Sequence, residues 1–267
     1  MPEGDTVKRT ALRLHRVFAG RLLTRCELRW PSVAEYDFTG ATTIEVASYG
    51  KHLLHRLTLD DRAWTVHSHL RMEGSWIIDR PGARAGGHKV RALLGTDEYL
   101  AIGHNLGMLD VVPTAEEHTL IGHLGPDLLG ENWNAEVAVH NLQQHPDTIA
   151  AALLDQRCLA GIGTIWAAET LFAERLDPWT PAADLSEAQL LSLVNRAQRF
   201  LQASCAHAIP SSTGDLRPGR NTYVHGRHRN TCRRCGTPIR VEMAGPPTRE
   251  RTIFYCPSCQ SVGSRTG

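Results

Sequence analysis

Apolar Val7, Ala11, Leu14 and Phe18 fall on one face of a helix, with Asp5 or Thr6 placed to cap its start and Gly20 to end it. The spacing therefore predicts a first helix with Pro2 and Glu3 at its head. From about Arg21 to Val112 the pattern changes to short β-rich stretches, TTIEVASYGKHLLHRLTL, AWTVHSHL and EYLAIGHNL, punctuated by Gly, Asp and Pro. That half reads as a β-sandwich. Residues 113–146 carry Pro113, Gly122, Gly125, Pro126, Gly130 and Pro146 among short apolar pieces, which suits an interdomain connection.

Helical signals return beyond it. DTIAAALLDQ is capped by Asp147, RCLAGIG breaks it, and TIWAAETLF resumes with Ile165, Ala168 and Phe172 on one face. Ser186 and Gln189 form a capping box for a further helix, Leu185 can staple to Leu190, and Val194, Ala197 and Leu201 continue the stripe. From Ile209 onward the chain is poor in helix formers and rich in Gly, Pro and Arg. The expected organisation is α+β: a β-sandwich domain (1–112), a connection (113–146), a helical domain (147–224) and a zinc finger (225–267).

A length of 267 residues suits two compact domains. No apolar run approaches the roughly 18 residues that span a bilayer, and MPEGDTVKR lacks the core of a secretory signal, so a cytoplasmic protein is expected. The balance of 29 basic against 28 acidic residues hides an asymmetry. From Arg196 onward 12 arginines face only Asp215, Glu242 and Glu250, a net of +9, which leaves −8 for residues 1–195. A basic C-terminal third is the electrostatic footprint of a polyanion partner, although an arginine-rich solubilising surface would look the same by charge alone.

Cys232, Cys235, Cys256 and Cys259 form two C-x2-C pairs separated by 20 residues, the spacing of a four-thiolate zinc ribbon. Two disulfides are the alternative, disfavoured in a reducing compartment. Four thiolates complete the tetrahedron, so the expected single ion is structural, folding a segment with almost no core of its own. Arg249 and Arg251 lie between the pairs, where a hairpin tip can carry guanidinium groups to phosphate. Cys26, Cys158 and Cys205 lie outside the motif and read as buried hydrophobes.

Four ordered segments resemble the formamidopyrimidine-DNA glycosylase and endonuclease VIII family: PEG at 2–4, SYGKHLL at 48–54, LLDQRCLAGIGTIWAAETLF at 153–172, and TCRRCGTPI with RTIFYCPSCQ. The resemblance covers nearly the whole chain. It implies a β-sandwich with an N-terminal helix, a helix, two turns and helix DNA-binding motif, and a zinc finger. It also implies a bifunctional DNA glycosylase and AP lyase whose partner is damaged DNA, acting as a monomer. Removal of Met1 would make Pro2 a secondary amine able to attack the deoxyribose C1′, displace the base and form an iminium. Glu3 is then the general acid/base, and Lys51 resembles the family lysine at the phosphate and damaged sugar. Met72, flanked by Arg71, aligns with the apolar wedge inserted where the nucleotide flips out. Gly163 and Thr164 open a helix whose free N–H groups face phosphate, and Arg251, five residues before Cys256, matches the zinc-finger arginine.

The chain also departs from the family. Thr164 stands where Asn is usual, and Thr6 replaces a common glutamate. GHNLGMLDV lacks the Arg and Phe that probe the orphaned base in the formamidopyrimidine branch, and SSTGDLRPGRNTYVHG leaves little room for that branch's lesion-capping loop. These departures favour the endonuclease VIII branch and oxidised pyrimidines. The alternatives are an 8-oxoguanine glycosylase of the same family and a non-catalytic binder of damaged DNA. His67 and His69 share a strand face, and without a third ligand by spacing they read as a packed or surface pair.

Overall fold

The computed structural model describes residues 2–261, which divide into two compact units, one ending at His123 and the other beginning at Leu124. In the first, helix α1 (Gly4–Phe18) is followed by eight strands: β1 (Arg25–Leu28), β2 (Thr42–Tyr49), β3 (His52–Leu59), β4 (Arg62–His69), β5 (Ser75–Asp79), β6 (Val90–Gly95), β7 (Leu100–His104) and β8 (Met108–Pro113). They form two antiparallel four-stranded sheets in the orders β1-β6-β7-β5 and β2-β3-β4-β8. The core joins Leu53, Leu57, Val66, Leu94, Ala101 and Leu109 to Val7, Ala11, Leu14 and Phe18, the face of α1 that the sequence spacing marks. Each such fully buried Leu or Phe contributes about 1.5–3 kcal/mol. The cap of α1 differs from expectation. The helix begins at Gly4 with Glu3 as the extended N-cap residue and no side-chain cap bond, while Asp5 is buried in the first turn.

The opposite face of β2-β3-β4-β8 is polar yet largely buried, because its groups satisfy one another. Arg56 donates to Glu117 at 2.6 and 2.7 Å and also pairs with Glu45, while Thr65 donates to Glu117. Burial pushes the Glu117 carboxyl up, but Arg56 and Thr65 together hold it below the usual carboxylate range.

The expected connection at 113–146 is divided between the two units and partly helical. A 3-10 turn (Thr114–Glu116) and the short α2 (His118–Ile121) close the first unit. Helix α3 (Ala135–Gln143), capped by the Asn134 side chain on Val137 N–H at 3.0 Å, puts Ala138, Val139 and Leu142 into the second core. Its glycine- and proline-rich flanks disguise that three-residue apolar face. The other helices are α4 (Ile149–Leu154), α5 (Thr164–Ala173) and α6 (Glu187–Ser204). Thr148, rather than the expected Asp147, caps α4 by accepting from Ala151 N–H, while Asp147 accepts from Thr148 N–H at 2.6 Å. The Ser186–Gln189 capping box of α6 is present.

Helix α5 is not the one-faced helix of the sequence reading. Every residue from Trp166 to Phe172 is buried. Trp166, Ala167 and Leu171 join the helical core, and Ala168 and Phe172 pack with Val224, Cys232, Ile239 and Cys256. The C-terminal segment thus borrows its core from α5. It contains a hairpin of β9 (Arg240–Ala244) and β10 (Arg251–Tyr255). No helix among the described residues is long and apolar enough to cross a membrane.

Candidate nucleic-acid interface and metal centre

Pro2 is half-buried immediately before α1, and Glu3 is 1% exposed with its carbonyl accepting from Val7 N–H at 3.0 Å. A residue at this place meets the positive end of a 15-residue helix, which disfavours the protonated form of an amine there. Lys51 occupies the second position of a two-residue hairpin turn closed by the Tyr49–His52 pair. Gly50 takes the first position at φ 55°, a conformation glycine adopts without strain.

The turn after β4 presents Met72 with 64% of its surface exposed, so this methionine is not part of the core. The turn around it is tightly built. Gly74 N–H donates to Leu70 O at 2.8 Å, and a Cβ on Gly74 would lie 2.4 Å from that oxygen. Arg71, in the left-handed region at φ 52°, donates its N–H to His69 Nδ1 at 2.9 Å and its guanidinium to Met108 Sδ at 3.2 Å. His67 pairs with neither His69 nor solvent: it bonds His52 and Asp110, which the sequence reading missed. Only the strand register, which sets His52 opposite His69 and His67 opposite Asp110, reveals that grouping.

In the second unit Gly163 is the buried N-cap residue of α5 and Thr164 its half-buried first residue. Gln156 holds the preceding turn, donating to Leu154 O and Ile162 O at 3.1 and 3.0 Å and accepting from Gly161 N–H at 3.1 Å. Gly161 has φ 104°, which only glycine tolerates there. These bonds fix the backbone at the head of α5. Gln156 was not singled out in the sequence because its role depends on where the turn folds back.

Glu169 is fully buried on α5 and collects four donors. Oε1 accepts from Val224 and His225 N–H at 2.8 and 2.7 Å, and Oε2 from Tyr223 N–H at 2.8 Å and the Ser212 hydroxyl. Burial pushes this carboxyl above the usual range, against the pull of its donors. Three of the four donors are backbone N–H groups, which cannot accept, so a proton on Oε1 would face only N–H groups.

The four Sγ atoms of Cys232, Cys235, Cys256 and Cys259 lie within 4.8 Å of one another, with Cys232–Cys259 at 3.9 Å and Cys235–Cys256 at 3.4 Å. Sulfurs on one tetrahedral zinc, each about 2.3 Å from the metal, stand about 3.8 Å apart, so the residues present fit such an ion. Both pairs turn alike: Gly236 N–H donates to Cys232 O at 2.9 Å and Gln260 N–H to Cys256 O at 3.1 Å. Burial pushes the Cys256 thiol up to about 12, so a cation is what would hold it as thiolate at neutral pH. Arg234 anchors the first turn, its guanidinium 4.1 Å above the Phe172 ring and donating to Phe172 O at 3.2 Å. Arg251 is exposed at the start of β10.

A second group, His145, Asp155 and Cys158, is close enough for a metal but is wired otherwise. His145 Nδ1 accepts from Asp147 N–H, so Nε2 carries the proton and faces Asp155, whose oxygens bind Arg157. The thiols of Cys26 and Cys158 are pushed by burial to about 11, in keeping with packed rather than reactive cysteines.

Residues 1–104 match the model described as the formamidopyrimidine-DNA glycosylase N-terminal domain, and residues 124–213 that described as the formamidopyrimidine-DNA glycosylase H2TH domain. A Streptomyces coelicolor protein named "Probable endonuclease 8 2" is 45% identical over 100% of this chain and 98% of its own. The "DNA-(apurinic or apyrimidinic site) lyase Nei2" of Mycolicibacterium smegmatis is 40% identical over 98% of this chain and 100% of its own. The Lactococcus lactis Fpg protein, solved with a THF-DNA and an inhibitor, shares the fold at a TM-score of 0.82 and 23% identity, covering 98% of this chain and 100% of that one. The chain belongs to the formamidopyrimidine-DNA glycosylase family, and the endonuclease 8 relatives fit the endonuclease VIII branch of it.

The four donors on Glu169 set a first expectation. Glu169→Gln turns an amide NH2 toward Tyr223 N–H or toward the Val224 and His225 pair, and unfolding of the second unit in urea should show a loss of about 1–3 kcal/mol. A midpoint equal to wild type would mean that the carboxylate does not hold this segment.

Proposed function

We propose that this chain is a bifunctional DNA glycosylase and AP lyase of base excision repair, acting in a bacterial cytoplasm on DNA with oxidised bases, chiefly pyrimidines. The observation that carries the reading is Pro2 followed by a buried Glu3 at the head of α1, in a chain that aligns end to end with relatives named endonuclease 8 and AP lyase. The first unit supplies the chemistry and the second the grip on DNA.

The Pro2 amine, freed by removal of Met1, attacks C1′ of the damaged nucleotide. As that bond forms the C1′–N bond to the base breaks and the base leaves with its electron pair; the Pro2 nitrogen gives its proton to the departing base, and its lone pair then opens the C1′–O4′ bond, which leaves an iminium. Glu3 protonates the sugar ring oxygen as the ring opens, then relays protons. Loss of the C2′ proton from the iminium expels the 3′ phosphate. Lys51 neutralises charge at the phosphate and sugar, and Met72, beside Arg71, fills the space left by the flipped nucleotide. Gly163, Thr164 and Arg251 hold phosphates, by helix N–H groups and by a guanidinium. A single structural zinc on the four cysteine thiolates supplies folding energy to the ribbon.

Borohydride added during incubation with thymine glycol or abasic DNA should trap a covalent complex whose mass maps to the N-terminal peptide. Absence of an adduct with every lesion tried would overturn the nucleophile. Excision of 5-hydroxycytosine or thymine glycol should outpace that of 8-oxoguanine opposite cytosine in single turnovers; the reverse order would move the chain to the formamidopyrimidine branch.

Glu3→Gln should leave lesion-DNA binding nearly intact while excision falls by roughly 10² to 10⁴. Preformed abasic DNA should suffer less, since its base has already gone. Arg251→Ala should instead weaken binding to all sequences alike and reduce the salt slope by about one. Equal binding losses in the two variants would contradict the separation. Chelation, or Cys256→Ala, should unfold the ribbon and weaken DNA binding while the β-sandwich stays folded. Normal binding by that variant would remove the ribbon from the DNA interface.

A further inference from the structure

Helices α3 and α6 pack against each other, with Val139, Leu142, Leu190 and Val194 in one core. Their N-terminal turns leave a groove of about 460 Å³, lined by apolar Trp133, Val139 and Leu191 and by polar Glu136, Glu187 and Asn195. It lies wholly within the second unit, and neither the glycosylase nor the lyase step uses it.

The lining combines two kinds of surface. Leu191 is 39% exposed and Trp133 half-buried, so an aliphatic side chain and an indole open to solvent. Glu136 and Glu187 are exposed, each in the first turn of its helix, where the positive helix end favours an ionised carboxylate. Neither has a hydrogen-bonding or ion-pairing partner among the described residues. That sets them apart from Asp155, Glu174 and Asp215, which pair with Arg157, Arg196 and Arg217. The surrounding chain is short of cations to offer them. Residues 124–195 hold ten acidic residues against Arg157 and Arg175, and Arg157 is taken by Asp155. Arg196, next to Asn195 in sequence, is committed to Glu174.

Two carboxylates and no lining cation repel phosphate, which excludes nucleic acid from this groove. A cation on an apolar stem fits instead. The guanidinium of an arginine stacks its plane on an indole face and forks its N–H donors onto a carboxylate, so one side chain answers both Trp133 and the glutamates. A volume of about 460 Å³ is that of a pocket for a ligand larger than one side chain. Leu191 and Val139 then offer an apolar seat to a residue beside the arginine.

We propose that the groove at the first turns of α3 and α6 docks a basic segment of a partner protein, which sets an arginine on Trp133 with Glu136 and Glu187 as its counter-ions and an apolar neighbour on Leu191. Tryptophan and arginine are the residue types that most often carry the energy of a protein interface. The ion pairs lie at an exposed rim and are screened by salt, so the contact is transient and salt-sensitive. DNA does not compete for an acidic seat, and a partner held there stays bound while phosphates are gripped elsewhere.

Fluorescence anisotropy with the full chain and a labelled, capped Arg-Leu-Arg-Leu-Arg peptide tests this, a peptide with citrulline in place of each arginine serving as the uncharged control. The arginine peptide should bind saturably and more weakly as salt rises, and the citrulline form should bind far more weakly. Glu136→Gln combined with Glu187→Gln keeps size and removes charge. This pair should weaken binding by roughly two- to thirtyfold, the range of two exposed ion pairs, while abasic-DNA cleavage and the urea midpoint stay at wild-type values. Trp133→Leu keeps an apolar side chain without the ring face and should weaken binding as well. Absence of saturable binding, or equal affinity for the citrulline peptide, would overturn the proposal. So would an equal loss in Glu131→Gln combined with Asp184→Asn, since that pair removes the same charge outside the lining and would reveal a diffuse acidic field. Displacement of the peptide by an equal concentration of spermine would give the groove to a small cation, and a wild-type dimer that the glutamine pair dissolves would give it to a second copy; either result overturns the peptide as occupant.

Discussion

A buried carboxylate has to be hydrogen-bonded on both oxygens or it destabilises the fold that contains it. Glu169 meets that demand with the Ser212 hydroxyl and three consecutive backbone N–H groups from Tyr223 to His225. Its donors lie at the two ends of the stretch 212–225, so one side chain closes that stretch into a loop and fixes where the C-terminal ribbon begins. The ribbon then packs on the same helix, Val224, Cys232, Ile239 and Cys256 lying against Ala168 and Phe172. Gln260 repeats the connection, accepting from Cys256 N–H and donating to Leu176 O at 3.0 Å. Helix α5 is therefore at once the centre of the helical core, the floor of the ribbon and, at its N-terminus, the candidate phosphate seat.

The first unit solves a related problem in its sheet β2-β3-β4-β8. One face carries Leu53, Leu57, Val66 and Leu109 into the core. The other carries His52, Arg56, Thr65, His67 and Asp110, which would be costly to bury singly but are joined into two networks, one around Glu117 and one through the histidines. Such networks confine each ring and guanidinium to one orientation. The Lys51 and Arg71 turns emerge from the end of this ordered face, so their backbones start from fixed points even though Met72 itself is exposed.

Much of this was legible in the chain. The i, i+4, i+7 apolar positions of α1, the Ser186–Gln189 box of α6 and the paired C-x2-C turns are local patterns, and they fold as local physics requires. The misses have physical reasons. Helix α3 carries a short apolar face between a glycine-bearing stretch and Pro146, and propensity alone gives it no boundary. Asp147 and Thr148 are equally good caps by type, and the geometry of the preceding turn selected Thr148. Glu169 looked like one more polar residue in a helix with a single apolar face, because nothing nearby in sequence announces that residues 212 to 225 return to cover it.

The sequence by itself determined the period of each element, the four sulfur ligands, and Pro2 and Glu3 at the head of a helix, since each depends on residues within a few positions of one another. Tertiary structure alone decided which strands lie side by side, and so that His67 meets His52 and Asp110 rather than His69. It also decided that α5 is buried on all sides and that the ribbon shares its core. These are contacts between residues up to 84 positions apart. Their energy comes from hydrogen-bonding and packing groups that become neighbours only once the chain has closed, which no local pattern can encode.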